Sequence, residues 1–224
     1  MKTQLNKGFT LIELLVVITI IAILASLAVP TFGRIQERGN ITKGISNCKQ
    51  ILTAMQLYAG DNNGRYPDRD PDGQDASTAN DAFRNMFITE ILDNEMIFGC
   101  PVSNWGDPDG AIGTSPNFDD AVSQGENHWM LTAGLSNSSS GSIPAVYEAA
   151  ESASWNPTWN ADAAGQADVR GRTWNGGKII IGLNDSSVTL MDLEGRRGNQ
   201  ALKGGEDNLF NRQPNEKTVL DIQE

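Results

Sequence analysis

A single carboxylate, Glu13, stands within the run Phe9 to Val29, of which 17 residues in 21 are apolar. A charged side chain in such a run costs about 2.5–3.5 kcal/mol even on mild membrane-insertion scales, so it calls for a partner. If the chain is cut after Gly8, the new α-amine on Phe9 is a cation one turn away from Glu13. That spacing is awkward within one helix. It suits an amine and a carboxylate on neighbouring parallel helices staggered along an axis, with the pair neutralised inside a bundle of apolar helices. Two simpler readings of the same segment stand beside this one. Ala25-Ser26-Leu27-Ala28 offers the small residues of a secretory cut site. The twenty uncharged residues Leu14 to Gly33 are long enough for a plain membrane anchor. Lys2 and Lys7 favour a cytoplasmic N-terminus, and Arg34 and Arg38 weaken that asymmetry.

Other candidate chemistry is scattered through the remaining chain. Asp68-x-Asp70-x-Asp72-Gly73 has the oxygen spacing of a calcium loop, although its twelfth position is Ala79 and Pro71 stiffens it. The alternative is a solvated acidic turn. Cys48 and Cys100 are either a disulfide tying a long helix to the head or buried free thiols. Closing that loop would contribute roughly 4 kcal/mol in the chain-entropy account. His128 has no second histidine and no G-x-S-x-G elbow beside it, which argues for a structural role over catalysis. Trp155 and Trp159 are either a platform for sugars or hydrophobic anchors for a loop-rich fold.

Composition narrows the classes further. The 224 residues carry a formal charge of −11, and residues 61–224 hold 11 basic against 26 acidic side chains, a net of −15. Such a region repels phosphate backbones and argues against nucleic-acid binding. One His excludes a multi-histidine metal site, and two Cys are too few for a zinc cluster or a disulfide-built scaffold.

The elements that must position these residues begin with one helix of about 50 residues, roughly 75 Å at 1.5 Å per residue. It runs from Phe9 to Ala59, with a kink or local melting expected at Pro30. Beyond Gly39, the residues Ile41, Ile45, Cys48, Leu52, Met55 and Ala59 form an apolar stripe, and Gly60 is the expected C-cap. Ser77 or Thr78 is expected to cap a second helix reaching Leu92. Short strands are expected at Met96–Phe98, His128–Leu131 and Ala145–Tyr147, with 102–127 as loop. Lys178–Leu183 and Val188–Leu193 flank Asn184-Asp185-Ser186-Ser187 as a β-hairpin, and Val219–Ile222 reads as a last strand.

Lys7-Gly8-Phe9-Thr10-Leu11-Ile12-Glu13-Leu14-Leu15-Val16-Val17 resembles the processing site of the type IV prepilin superfamily, which includes type IV pilins and the pseudopilins of type II secretion systems. Asn47 to Ile51, Tyr58 to Pro67 and Phe98-Gly99-Cys100-Pro101 are similar to the segments that come after the anchor in pseudopilin-like proteins. The resemblance implies cleavage between Gly8 and Phe9 by a prepilin peptidase and N-methylation of Phe9. It implies subunit registration by Glu13 and a helix-kinking role for Pro30. It also implies a calcium ion in the head, with no other cofactor required. The expected fold is α+β and pilin-like: leader 1–8, a long N-terminal helix 9–60 whose first half is transmembrane, and a loop-rich head 61–224 with a small antiparallel sheet. The expected function is structural rather than enzymatic: a homo-oligomeric filament subunit, preferably a type II secretion pseudopilin that drives protein export. A surface pilin for adhesion or motility and a membrane-tethered glycan-binding protein are the rivals. Other pilins or pseudopilins and an inner-membrane assembly platform are the expected partners. The implied location is a bacterial inner membrane, single-pass, with the head in the periplasm.

Overall fold

A computed structural model of the chain describes residues 10–164 and 169–223, and gives the backbone alone for residues 27–31. The chain divides between Asn40 and Ile41 into two compact units. One helix, α1 (Leu11–Asp61), contributes to both.

In the first unit α1 begins behind Thr10 and carries apolar side chains on every face. All described side chains from Thr10 to Ser26 are exposed, Leu11 at 86% and Ile12 at 75%. A helix apolar all round belongs in a core or in lipid rather than in water. Among the described residues no helix is long and apolar enough to cross a membrane. The residues from Leu11 to Ser26 whose side chains are described number sixteen, against the ~20 residues that a bilayer core requires. The backbone stays helical through Pro30, so the local melting expected there is absent.

The second unit is built on the other half of α1. From Ile41 the apolar stripe is covered, partly at Ile41 and Ile45 and fully at Cys48, Ile51, Met55 and Tyr58. The helix outlasts Gly60 and ends at Asp61. It is left through Asn63 and Gly64, both at positive φ (56° and 81°), with the Gly64 amide donating to the Ala59 carbonyl at 2.8 Å. Helix α2 (Ala79–Ile88) is started by a capping box: the Asp81 amide donates to Thr78 Oγ1 at 3.1 Å and the Thr78 amide donates to Asp81 Oδ2 at 3.1 Å. It stops short of Leu92, because Glu90 turns into a left-handed conformation with φ of 57°. Met96–Phe98 is a 3-10 turn rather than a strand. Asn94 causes this by accepting from the Met96 amide at 2.8 Å and curling the chain.

The main sheet is antiparallel with the order β5-β4-β2-β1-β7, formed by β1 (Trp129–Thr132), β2 (Pro144–Glu148), β4 (Lys178–Leu183), β5 (Val188–Asp192) and β7 (Val219–Leu220). A second ladder joins β3 (Thr158–Asn160) to β6 (Asn199–Ala201). Alternation along the strands splits the core in two. Trp129, Leu131, Val146 and Ile180 face α1 and α2, where they meet Met55, Phe83, Met86 and Phe87. Met130, Tyr147, Ile179 and Ile181 face Trp159 of β3 and the loops carrying Leu202 and Phe210. The central strands β1, β2 and β4 are thus buried on both faces. Two glycines permit the close fit of α1. A Cβ on Gly44 would lie 2.7 Å from Ile180 Cδ1, and one on Gly182 would lie 2.6 Å from Leu52 Cδ1.

Candidate functional site

Glu13 sits in the first turn of α1, where helix amides lack intrahelical acceptors. Its Oε2 accepts from the Thr10 amide at 2.9 Å and from Thr10 Oγ1 at 2.7 Å, and its own amide donates to Thr10 Oγ1 at 3.3 Å. This is a capping box, Thr10-x-x-Glu13, and its Thr-x-x-Glu spacing is the local sequence signal for it. The carboxylate that calls for a partner is therefore held, in the single chain, over its own helix start. Its neighbours Leu11, Ile12, Leu14 and Leu15 are all exposed. Gly8 and Phe9, the expected processing residues, lie outside the described residues, and so does the Pro30 side chain.

The remaining expected sites are rearranged by the fold. Among the described residues, Asp68, Asp70 and Asp72 do not form a converging ligand group. Asp68 Oδ2 accepts from the Gly134 amide at 2.7 Å and Asp70 Oδ1 from the Gln74 amide at 2.7 Å. The segment closes as a tight hairpin in which the Gly73 amide donates to the Asp70 carbonyl, with Arg69 and Asp75 ion-paired at 2.6 Å beside it. The Asp68 and Asp70 carboxylates brace the backbone and the three do not point to a common centre, so the geometry does not show the expected calcium loop.

Cys48 and Cys100 are both buried and free, so of the two readings the structure has buried thiols with separate contacts and no disulfide between them. The Cys48 thiol lies 3.9 Å from the Val146 carbonyl oxygen, and the Cys100 thiol lies 3.6 Å from Glu148 Oε1. Burial pushes both thiols above their ordinary range, aided by the Glu148 charge. The two tryptophans are anchors: Trp159 is fully buried, its indole donating to the Glu148 carbonyl at 3.1 Å, and Trp155 donates to the Phe210 carbonyl at 3.2 Å while stacking edge-on against that ring. They form no exposed sugar platform.

Among the described residues, two groups of ligand-type side chains converge. Glu95, Asp109 and Glu126 place one oxygen each within 4.8 Å of one another. Glu95 is buried and spends both oxygens on backbone amides, those of Gly110 and Val122, each at 2.8 Å. Glu126 accepts from the Ser123 amide at 2.6 Å. This group pins the long loop after the 3-10 turn. Cys100, His128 and Glu148 form the second group, also within 4.8 Å, and all three are buried. Burial pushes the Glu148 carboxyl up to about 8 and holds His128 down to about 3, with the Arg172 charge adding to the latter. Neither group is legible in sequence, since only the folded register brings these segments together.

The chain matches the family model of the prokaryotic N-terminal methylation motif over residues 4–29. It is 35% identical over 108 residues to type II secretion system core protein G of Aeromonas hydrophila, covering 48% of this chain and 73% of that protein. It is 41% identical over 63 residues to the type IV major pilin protein PilA of Myxococcus xanthus, 28% of each chain. It is also 40% identical over 65 residues to type II secretion system core protein G of Escherichia coli K12, 29% of this chain and 44% of that one. The Myxococcus and Escherichia proteins are thus matched over less than half their length. No solved structure matches. The methylation motif at the N-terminus, the long helix with Glu13 in its first turn, the antiparallel head and the extent of the Aeromonas match together place this chain in the type IV prepilin-like superfamily.

Proposed function

We propose that this chain is a structural subunit of a pilus-like filament, and within that class a pseudopilin of a type II secretion system. The observation that carries the reading is the first unit of α1: apolar on every face, exposed from Leu11 to Leu24, and bearing one carboxylate at its start. A surface of that size demands cover, either lipid before assembly or sister helices after it. In this reading the leader is removed after Gly8 and the Phe9 amine is methylated. The helix then waits in a bacterial inner membrane with the head in the periplasm. On assembly, Glu13 exchanges its Thr10 contacts for the Phe9 amine of a neighbouring copy, which sets the stagger. The prepilin peptidase, other pseudopilins and an inner-membrane assembly platform are the partners, and the role is mechanical rather than catalytic. The pseudopilin choice rests on the 73% coverage of the Aeromonas protein.

Glu13→Ala tests the mechanism: filaments are lost while the leader is still removed. Filaments that persist, or native material that still carries its first eight residues by mass spectrometry, overturn it. The Myxococcus match favours a second reading, a surface type IV pilin; long extracellular fibres containing this chain would select it. A structural calcium in the head belongs to the same reading through the resemblance alone. Calcium then raises the melting temperature, and identical melting with calcium and with chelator removes the ion from the account.

A further inference from the structure

We propose that Cys100, His128 and Glu148 form a buried site for one divalent transition-metal ion of the zinc class. Three separate segments deliver the donors. Cys100 comes after the 3-10 turn, His128 precedes β1, and Glu148 ends β2 opposite Trp129. Their ligand atoms lie within 4.8 Å of one another. Zinc bonds of 2.0–2.3 Å in a tetrahedron place ligand atoms roughly 3.3–3.8 Å apart, so small side-chain movements close the site.

Two features distinguish this cluster from an ordinary polar patch in a core. The first is its unspent valence. Both ring nitrogens of His128 and Oε2 of Glu148 are buried with no hydrogen-bond partner. Buried polar atoms are nearly always paired, and an unpaired histidine ring beside an unpaired carboxylate oxygen has the lone pairs a metal takes. The second is support from outside the group. Trp174 Nε1 donates to Glu148 Oε1 at 2.7 Å, which fixes the carboxylate and leaves the other oxygen free to ligate.

The donor set also selects the ion. One thiolate, one imidazole and one carboxylate suit zinc and its neighbours, whereas calcium and magnesium prefer oxygen alone. Binding sends both the Cys100 thiol proton and the Glu148 carboxyl proton to solvent. A dication with thiolate and carboxylate is neutral as a unit, which removes the main penalty against burying charge. Such an ion would staple the 3-10 turn to two strands directly beneath α1, where Cys100 Sγ would sit 3.2 Å from a Cβ on Gly44. It would serve the cross-linking purpose that a disulfide does not. The site stands whether or not the chain polymerises.

The test uses the full-length chain in detergent, purified without chelator from zinc-supplemented cells. Elemental analysis is expected to find one equivalent of zinc. Cobalt chloride added to metal-depleted chain is expected to give a thiolate-to-cobalt charge-transfer band. Cys100→Ser abolishes that band, Cys48→Ser retains it, and His128→Gln weakens zinc affinity at least tenfold. Wild-type chain that holds no zinc and gives no cobalt band overturns the proposal, whatever the variants do. A band that survives Cys100→Ser overturns it equally.

Discussion

From Leu11 to Ser26, α1 shows apolar side chains on all sides, whereas from Ile41 its apolar residues gather into one stripe that the head covers. Helical geometry is the same in both stretches. What differs is where the complementary surface resides. For the later stretch it is encoded in the same chain, in β2, β4 and α2. For the earlier stretch the described residues supply none, and in the proposed reading lipid or other copies do. The presence of a covering surface, rather than hydrophobicity, therefore separates a folding element from an assembly element.

The sharpest way to break this contrast is a pair of truncations. Ile51→Ala removes a fully buried side chain and is expected to lower head stability by about 2–5 kcal/mol, read by thermal unfolding. Ile20→Ala, at an exposed position, should leave that transition unmoved and weaken filaments instead. Equal shifts in melting would erase the distinction. A smaller effect comes from two helix glycines. Gly44→Ala drives a methyl group into Ile180 and should cost about 1–3 kcal/mol of head stability. Gly33→Ala meets nothing within 4 Å and should be neutral or favourable by up to about 1 kcal/mol through helix propensity. The smallest concerns the two capping boxes. Thr78→Ala should lower head stability by about 1 kcal/mol in denaturant titration. Thr10→Ala, with the same chemistry at Glu13, should leave head unfolding unchanged and alter only assembly, by freeing the carboxylate.

Legibility in the sequence tracks the range of the interactions. The N-terminal methylation motif is readable because it is one contiguous run of residues, 4–29. The hairpin formed by β4 and β5 is readable because Asn184 to Ser187 is turn chemistry between alternating strands. Helix α2 announces itself by its cap. Met96–Phe98 misleads because three apolar residues fit a strand as well as a turn, and the deciding contact comes from Asn94. The ladder between β3 and β6 joins two three-residue segments far apart in the chain, too short to show a period. The Asp68–Asp72 spacing matches a calcium loop, but spacing does not fix direction, and the hairpin at Gly73 turns the carboxylates toward backbone amides. Cys100, His128 and Glu148 share no motif at all. Their meeting depends on the pairing of Trp129 with Glu148.

The glycine seam also bears on mechanics. One residue of screw motion rotates a helix by about 100°, so advancing α1 by a single position would bring Lys43 or Ile45 to the place of Gly44, where a Cβ would already lie 2.7 Å from Ile180 Cδ1. Like a key cut for one notch, the shaft meets a side chain if it turns one step in its seat, so the seam favours a single register of α1 against the sheet.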